Sequence, residues 1–515
     1  RFVTLNVSAT SEDARMFEAA ELGRKVSKAI YNKKDPELRT ALLDAQFKLR
    51  ELPFQVIVIV SGVEGAGKGE VVNALNRWLD SRGIQTHAFW DESDEERERP
   101  RYWRFWRRLP PKSTIGVLFG SWYTQPIIDM ALGRTTQAEF ESELDRIGEF
   151  ERLLSNDGAL IIKFWFHLSK KAQQKRLKAD EKTGRSSPLL KQFAKKYNRF
   201  KFVSEMAIRA TDSGYSPWHI VEAEDHRYRN LAVGETLLHA IENRIAGPAE
   251  PQPDPGVRDK NSFIAEIPEA SITVLDHVDL TQKLSHKQYS ERLGEAQRRL
   301  RGLAWQARKA KINTVAVFEG WDAAGKGGAI RRVTEAIDAR LYRVISVAAP
   351  TDEEIAQHYL WRFWRQLPRA GYFTIYDRSW YGRVLVERVE NFCTRQEWSR
   401  AYQEINQFEQ QLAANNTVVL KFWVHISQEE QLARFKEREK IAWKQYKLTD
   451  EDWRNRERWD AYKHAVNDMV ARTSTTYAPW TLVPGNDKWL SRVTIIETFC
   501  ERLAAALQER GIKAD

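Results

Sequence analysis

Residues 315–328 read VAVFEGWDAAGKGG: a short apolar, partly β-branched run breaks into glycines that close on Lys326. A glycine-rich turn between a strand and a helix can aim successive backbone N–H groups, and the helix N-terminus behind them, at one anion. Lys326 adds a full positive charge. Gly320, Gly325 and Lys326 fit G-x-x-x-x-G-K, and Ala323, Ala324, Gly327 and Gly328 complete the backbone that would wrap a phosphate. Gly327 stands where that pattern usually carries the Ser or Thr whose hydroxyl holds Mg2+. The metal therefore needs another ligand, and Asp322 inside the loop is the first candidate, because Mg2+ prefers oxygen and takes one or two carboxylates plus substrate phosphates. The alternative is an ordinary glycine-rich turn, since a loose match to this pattern occurs often by chance; strand before, helix after and a carboxylate within favour phosphate binding.

Working outward, the chain repeats itself. Gly62 and Gly320 lie 258 positions apart, and the same offset relates Arg104-Phe105-Trp106-Arg107 to Arg362-Phe363-Trp364-Arg365, Trp122-Tyr123 to Trp380-Tyr381, and Lys163-Phe164-Trp165 to Lys421-Phe422-Trp423. Further on, Tyr215-Ser216-Pro217-Trp218 matches Tyr477-Ala478-Pro479-Trp480 at an offset of 262, so the second copy holds four extra residues in between. The chain is a tandem duplication. Its copies are expected at 1–246 and 261–515, joined by a linker at 247–260 that contains GPAEPQPDPG, where prolines exclude helix and central strand. Each copy opens with a charged, helix-periodic arm, at 11–52 and 281–311.

A length of 515 residues calls for two large domains or more. A net charge of +10 and a pI near 9.3 favour an anionic partner, and charge alone does not choose between nucleic acid, a membrane surface and a polyanionic small substrate. With only Cys393 and Cys500, neither a disulfide framework nor a cysteine metal site is supported, and a reducing compartment fits best. No apolar run approaches the ~18 residues of a membrane span, and no signal-peptide core opens the chain. A cytoplasmic location is expected.

In the second copy, strands are predicted at 314–318, 343–348, 372–376, 418–424 and 480–483, with helices from 328 and over 353–366. Alternation of this kind predicts an α/β fold: a parallel sheet with helices on both faces and a site at the strands' carboxyl ends. The third of these strands runs into Asp377-Arg378. Asp377 could complete a carboxylate pair with Asp322 around Mg2+, and Arg378 offers a planar fork to phosphoryl oxygens. Arg383 is expected to assist, and Arg434 and Arg438 share one helical face within the basic stretch 431–447, which could be a lid over a polyanion or simply a solvated face. Trp361, Phe363 and Trp364 could stack bases, but core or interface is the better reading.

The first copy keeps the scaffold and loses the chemistry. Glu64 stands opposite Asp322, Phe119 opposite Asp377, Gly120 opposite Arg378 and Gln125 opposite Arg383, while Lys68 survives. Phe119 cannot bind a metal, so no catalysis is expected there. Residues 170–201 still hold twelve Lys or Arg against Asp180 and Glu181, enough for a polyanion to dock or for a solubilising face.

With GWDAAGKGG, YDRSWYGR, LWRFWRQLP and APW in order, the second half resembles a family 2 polyphosphate kinase, over residues 276 onward. The first half resembles the same family in degenerate form, the arrangement of its fused, two-domain members that phosphorylate AMP. The resemblance implies a P-loop kinase fold with a helical lid, and Mg2+-dependent transfer of a terminal phosphoryl from polyphosphate to a nucleotide, AMP to ADP. It also implies Asp322 and Asp377 on metal, Lys326 and Arg378 on the transferring group, and Arg434 and Arg438 closing from the lid. Inorganic polyphosphate and an adenine nucleotide are the expected partners, with neither nucleic acid nor membrane; self-association stays open. Two other readings remain: an ATP-dependent nucleotide or small-metabolite kinase, and a non-catalytic polyanion-binding protein.

Overall fold

The structure is a computed structural model that describes residues 16–182, 193–247, 273–441 and 450–513. The linker expected at 247–260, the end of the basic stretch at 442–447 and part of the basic run at 170–201 lie outside these residues, apart from Gly247 at the linker's edge. The described residues form two compact units: one comprises those that fall within 1–91, 108–260 and Ile355–His358, the other those within Glu92–Arg107, 261–354 and 359–515.

Each unit holds one five-stranded parallel sheet. In the first, β1 (Val56–Gly62), β2 (Ile84–Ala88), β3 (Ile115–Phe119), β4 (Leu160–His167) and β5 (Trp218–Glu222) are ordered β2-β3-β1-β4-β5. In the second, β6 (Asn313–Gly320), β7 (Tyr342–Ser346), β8 (Phe373–Asp377), β9 (Thr417–His425) and β10 (Trp480–Pro484) are ordered β7-β8-β6-β9-β10. The two topologies are the same, and every pairing is parallel. Parallel strands need helical crossovers on both faces, which is why β6 is buried along almost its whole length and its middle, from Val315 to Phe318, is apolar. From the central strand the chain moves to one side for the next two strands and to the other for the last two. The carboxyl end of β6 therefore sits where the direction of winding reverses, the place at which open α/β sheets bind ligands.

The expected strands all form, to within two residues at their ends. The helix expected over 353–366 does not. It is broken into single turns at Asp352–Ile355 and Trp361–Trp364. The first turn buries nothing, whereas Trp361, Phe363 and Trp364 are all buried, so the chain dives from surface to core between them and cannot keep one helical face. Trp364 packs edge-on against Phe408 at 5.0 Å, in agreement with a core role for this cluster. The arms become the helices Lys28–Leu49 and His286–Lys309, the second opened by a capping box between Ser285 and Gln288. Among the described residues no helix is long and apolar enough to cross a membrane.

Candidate active site

The loop after β6 has the backbone its glycines promised. Gly325 adopts φ +111° immediately before the helix Lys326–Thr334, whose N-terminus has no side-chain cap and so leaves its first N–H groups for a ligand. Lys326 folds back over the loop, donating to the carbonyls of Gly320 at 2.6 Å and Trp321 at 3.2 Å. On the neighbouring strand, Asp377 lies in register with Phe318, which places its carboxylate beside the loop.

Asp322 is held from two sides: Arg378 donates to Oδ1 at 3.3 Å and Asn455 to Oδ2 at 2.9 Å. A carboxylate has about four lone-pair sites, so both oxygens keep capacity for a cation. Arg378 itself sits at φ +63°. A side chain there costs about 1–3 kcal/mol, yet the strain persists with an arginine aimed at the loop, whereas Gly120 in the first copy takes the same turn at φ +74° without the penalty.

Two cavities meet at these residues. One, of about 470 Å3, is lined by the loop from Asp322 to Gly328, by Asp377, and by Arg331, Arg378, Arg438, Lys488 and Arg492. The other, of about 70 Å3, is lined by Trp321, Leu385, Val386, Trp423 and Tyr462. Asp322, Lys326 and Arg378 line both. A charged group transferred between the cavities would pass these three side chains.

Arg434, expected to close from a lid, lines the larger cavity with its guanidinium engaged by the chain itself. It is 4% exposed. Nε donates to Glu430 at 2.6 Å, Nη1 to the carbonyls of Ala323 and Ala324 at 2.9 and 2.8 Å, and Nη2 to those of Gly485 and Asn486 at 2.7 and 3.0 Å. A guanidinium has five N–H donors, and all five are spent. Arg434 clamps the phosphate loop from behind. Arg438 lines the larger cavity as well. Arg383 lines neither cavity; it is ion-paired with Glu387 at 3.1 Å and Glu397 at 3.7 Å and stacked over Tyr359. Its Glu387 partner, four residues on, uses the charge that was expected to reach phosphate.

We expect Arg434→Lys to raise the KM for the phosphoryl donor several-fold and to lower the melting temperature. An ammonium has three donors, so at least two buried oxygens lose their partner, at about 1–3 kcal/mol each. Steady-state kinetics together with thermal unfolding test this, and unchanged values of both would contradict it.

Sequence reasoning missed three groups. Glu319, at the end of β6, is buried and accepts from Ser379 at 2.7 Å; burial pushes its carboxyl up against the pull of Lys326 and Arg378. An acid inside an apolar strand was a readable signal. Asn455 and Arg492 come from distant helices, and nothing local marks them.

The chain matches the family model "Polyphosphate kinase 2 (PPK2)" over residues 25–247 and again over 283–511. It is 49% identical over 499 residues to a polyphosphate:AMP phosphotransferase of Pseudomonas aeruginosa, covering 96% of this chain and 100% of that one. It is 47% identical over 500 residues to the protein of the same name in Pseudomonas syringae pv. tomato, covering 95% and 99%. A crystal structure described as a polyphosphate kinase 2 from Pseudomonas aeruginosa superposes with a TM-score of 0.86 at 48% identity, covering 96% of this chain and 100% of that one.

Proposed function

The chain belongs to the polyphosphate kinase 2 family, and from that premise we propose that its second copy transfers a terminal phosphoryl from inorganic polyphosphate to AMP, giving ADP. The observation that carries this reading is the pair of cavities sharing Asp322, Lys326 and Arg378. The larger, rimmed by Arg331, Arg438, Lys488 and Arg492, suits a polymer with about one negative charge per phosphate. The smaller shares the same three residues and has room for little more than a phosphate group, as an acceptor phosphate requires.

Phosphoryl transfer asks little covalent chemistry of a protein; in-line positioning and charge stabilisation supply most of the rate. Lys326 and Arg378 would hold the transferring group, the loop N–H groups would fix its oxygens, and Arg434 would keep that loop in place. Asp322 and Asp377 would hold Mg2+, whose chemistry when bound is to neutralise charge on phosphate oxygens. Two carboxylates beside a phosphate site fit that ion, because Mg2+ completes its shell with substrate oxygens and water. Free Cys393 and Cys500 and the lack of a spanning helix among the described residues support a cytoplasmic setting.

Incubation with AMP, polyphosphate and Mg2+ in the absence of ATP is expected to yield ADP, and ADP supplied as acceptor is expected to react more slowly. Absence of product, or product only when ATP is added, would overturn the reading in favour of an ATP-dependent kinase.

A further inference from the structure

The first unit holds a cavity of about 300 Å3 beside the loop after β1, at the lower end of the range that takes small molecules. Its walls are mostly aromatic and aliphatic. Phe119 stands on them where the second copy has Asp377, Val63 where it has Trp321, and Phe193 where it has Asn455.

Glu64, Lys68 and Lys201 bring the charge to this lining. Lys68 donates to Glu64 at 2.6 Å and to the Gly62 carbonyl at 2.9 Å, so those two charges cancel. Lys201 is not answered in this way. Its ammonium lies 6.0 Å from the centre of the Phe17 ring, and among the described residues no carboxylate is within ion-pair distance of it.

The second copy shows what has been lost. Lys463, 262 positions after Lys201, is ion-paired at 2.8 Å with Asp276, which belongs to the short helical turn Val274–His277 ahead of the arm helix. The first unit keeps that turn at Glu18–Ala20, and the serines that cap the two arm helices, Ser27 and Ser285, preserve the offset of 258. Glu18 stands opposite Asp276, yet it is exposed and makes no ion pair among the described residues. Glu21, on the same stretch, meets the His167 ring at 2.7 Å instead.

A second donor has appeared beside the lysine. Ser204 follows Lys201 by three residues on the helix Tyr197–Thr211 and lines the cavity, where the second copy has the buried Val466. Ser204 is 2% exposed, and its hydroxyl has no hydrogen-bond partner among the described residues. Residues three apart share a helical face, so the ammonium and the hydroxyl come to the same side of the cavity. A buried hydroxyl without a partner is costly, and a ligand oxygen would remove that cost.

We propose that the first unit binds a small apolar monocarboxylate, its aryl or alkyl body among the aromatic side chains and its carboxylate accepting from Lys201 Nζ and Ser204 Oγ. A carboxylate brings the one negative charge that Lys201 lacks and has lone pairs for both donors. An uncharged ligand would leave the ammonium unpaired. A phosphate dianion would bring a second charge with no cation to meet it, because Lys68 is held by Glu64. This inference stands on the first unit alone and does not depend on the activity of the second.

Isothermal titration of the full chain with 4-phenylbutyrate, and in parallel with its neutral amide 4-phenylbutyramide, tests it. One 4-phenylbutyrate per chain is expected, with the amide at least tenfold weaker. Lys201→Met is expected to weaken the carboxylate at least tenfold while the amide stays within about twofold, which also reports that the cavity is still formed. Lys201→Arg, which keeps the charge, is expected to bind the carboxylate within about threefold of wild type. Val63→Trp, which puts the indole of the other copy into the space, is expected to weaken both compounds. Absence of 4-phenylbutyrate binding, equal affinity for acid and amide, or undiminished carboxylate binding by Lys201→Met would each overturn the proposal.

Discussion

Lys326→Ala is expected to lower kcat by about 10²–10³-fold, the usual cost of deleting one preorganised charge from a transition state, while Lys68→Ala leaves it within about twofold. The two lysines follow equivalent loops at the same offset, and sequence alone makes them look interchangeable. Their surroundings differ. Lys326 donates to two backbone carbonyls and lines both cavities, so its charge is available to a phosphoryl group that arrives between them. Lys68 is tied to Glu64 at 2.6 Å and lines an apolar cavity walled by Phe119. Rates at saturating AMP and polyphosphate, measured for both variants alongside thermal unfolding, check the division of labour. Equal losses would show that the first unit takes part in transfer.

The duplication, the parallel sheets and the phosphate loop were legible because each rests on short-range pattern: an apolar run of the right length, glycines at fixed spacing, a constant offset. The contacts of Arg434 and Arg383 were not, because composition shows that an arginine exists and not where its five donors go. Arg383 did carry a warning in Glu387 at i+4, the commonest local way for a helical arginine to spend its charge. For Arg434 the partners are backbone carbonyls from three separate segments, and backbone oxygens leave no trace in sequence. The first-copy cavity was half legible. Phe119 and Gly120 mark in the sequence where the first copy departs from Asp377 and Arg378, but that Val63 removes the indole donor of the His167 ring follows only from the contact of Trp321 with His425 in the other unit.

One feature did not drift between copies, and it sets the second large effect. Lys421 and Glu409 form a buried pair at 2.7 Å with both side chains 0% exposed. Lys421 also donates to Tyr381 Oη at 2.8 Å and the Thr473 carbonyl at 2.6 Å, while Glu409 accepts from Tyr381 at 2.7 Å and Trp380 at 3.1 Å. The first unit repeats it: Lys163 with Glu151 at 2.7 Å, Tyr123 and the Thr211 carbonyl, with Trp122 on the carboxylate at 2.9 Å. Here the pair ties the helix Gln137–Asn156 to a central strand in a unit that has Phe119 and Gly120 in place of Asp377 and Arg378, so its role is in the fold and not in transfer. Burial alone pushes the Lys421 ammonium down and the Glu409 carboxyl up, and each partner opposes the other's shift. Removing one partner strands the other, at about 3–5 kcal/mol. Lys421→Met is therefore expected to destabilise the second unit by that amount near pH 7. The sign of its pH dependence follows: a stranded Glu409 has a folded pKa above its unfolded one, so protonation relieves the burden and the loss relative to wild type shrinks as pH falls toward 5. Lys163→Met should cost the first unit as much while leaving kcat intact below its unfolding transition. Denaturant unfolding at pH 5 and pH 7 checks both, and a loss that grows on acidification would mean that the lysine, not the carboxylate, dictates the charge state of the pair.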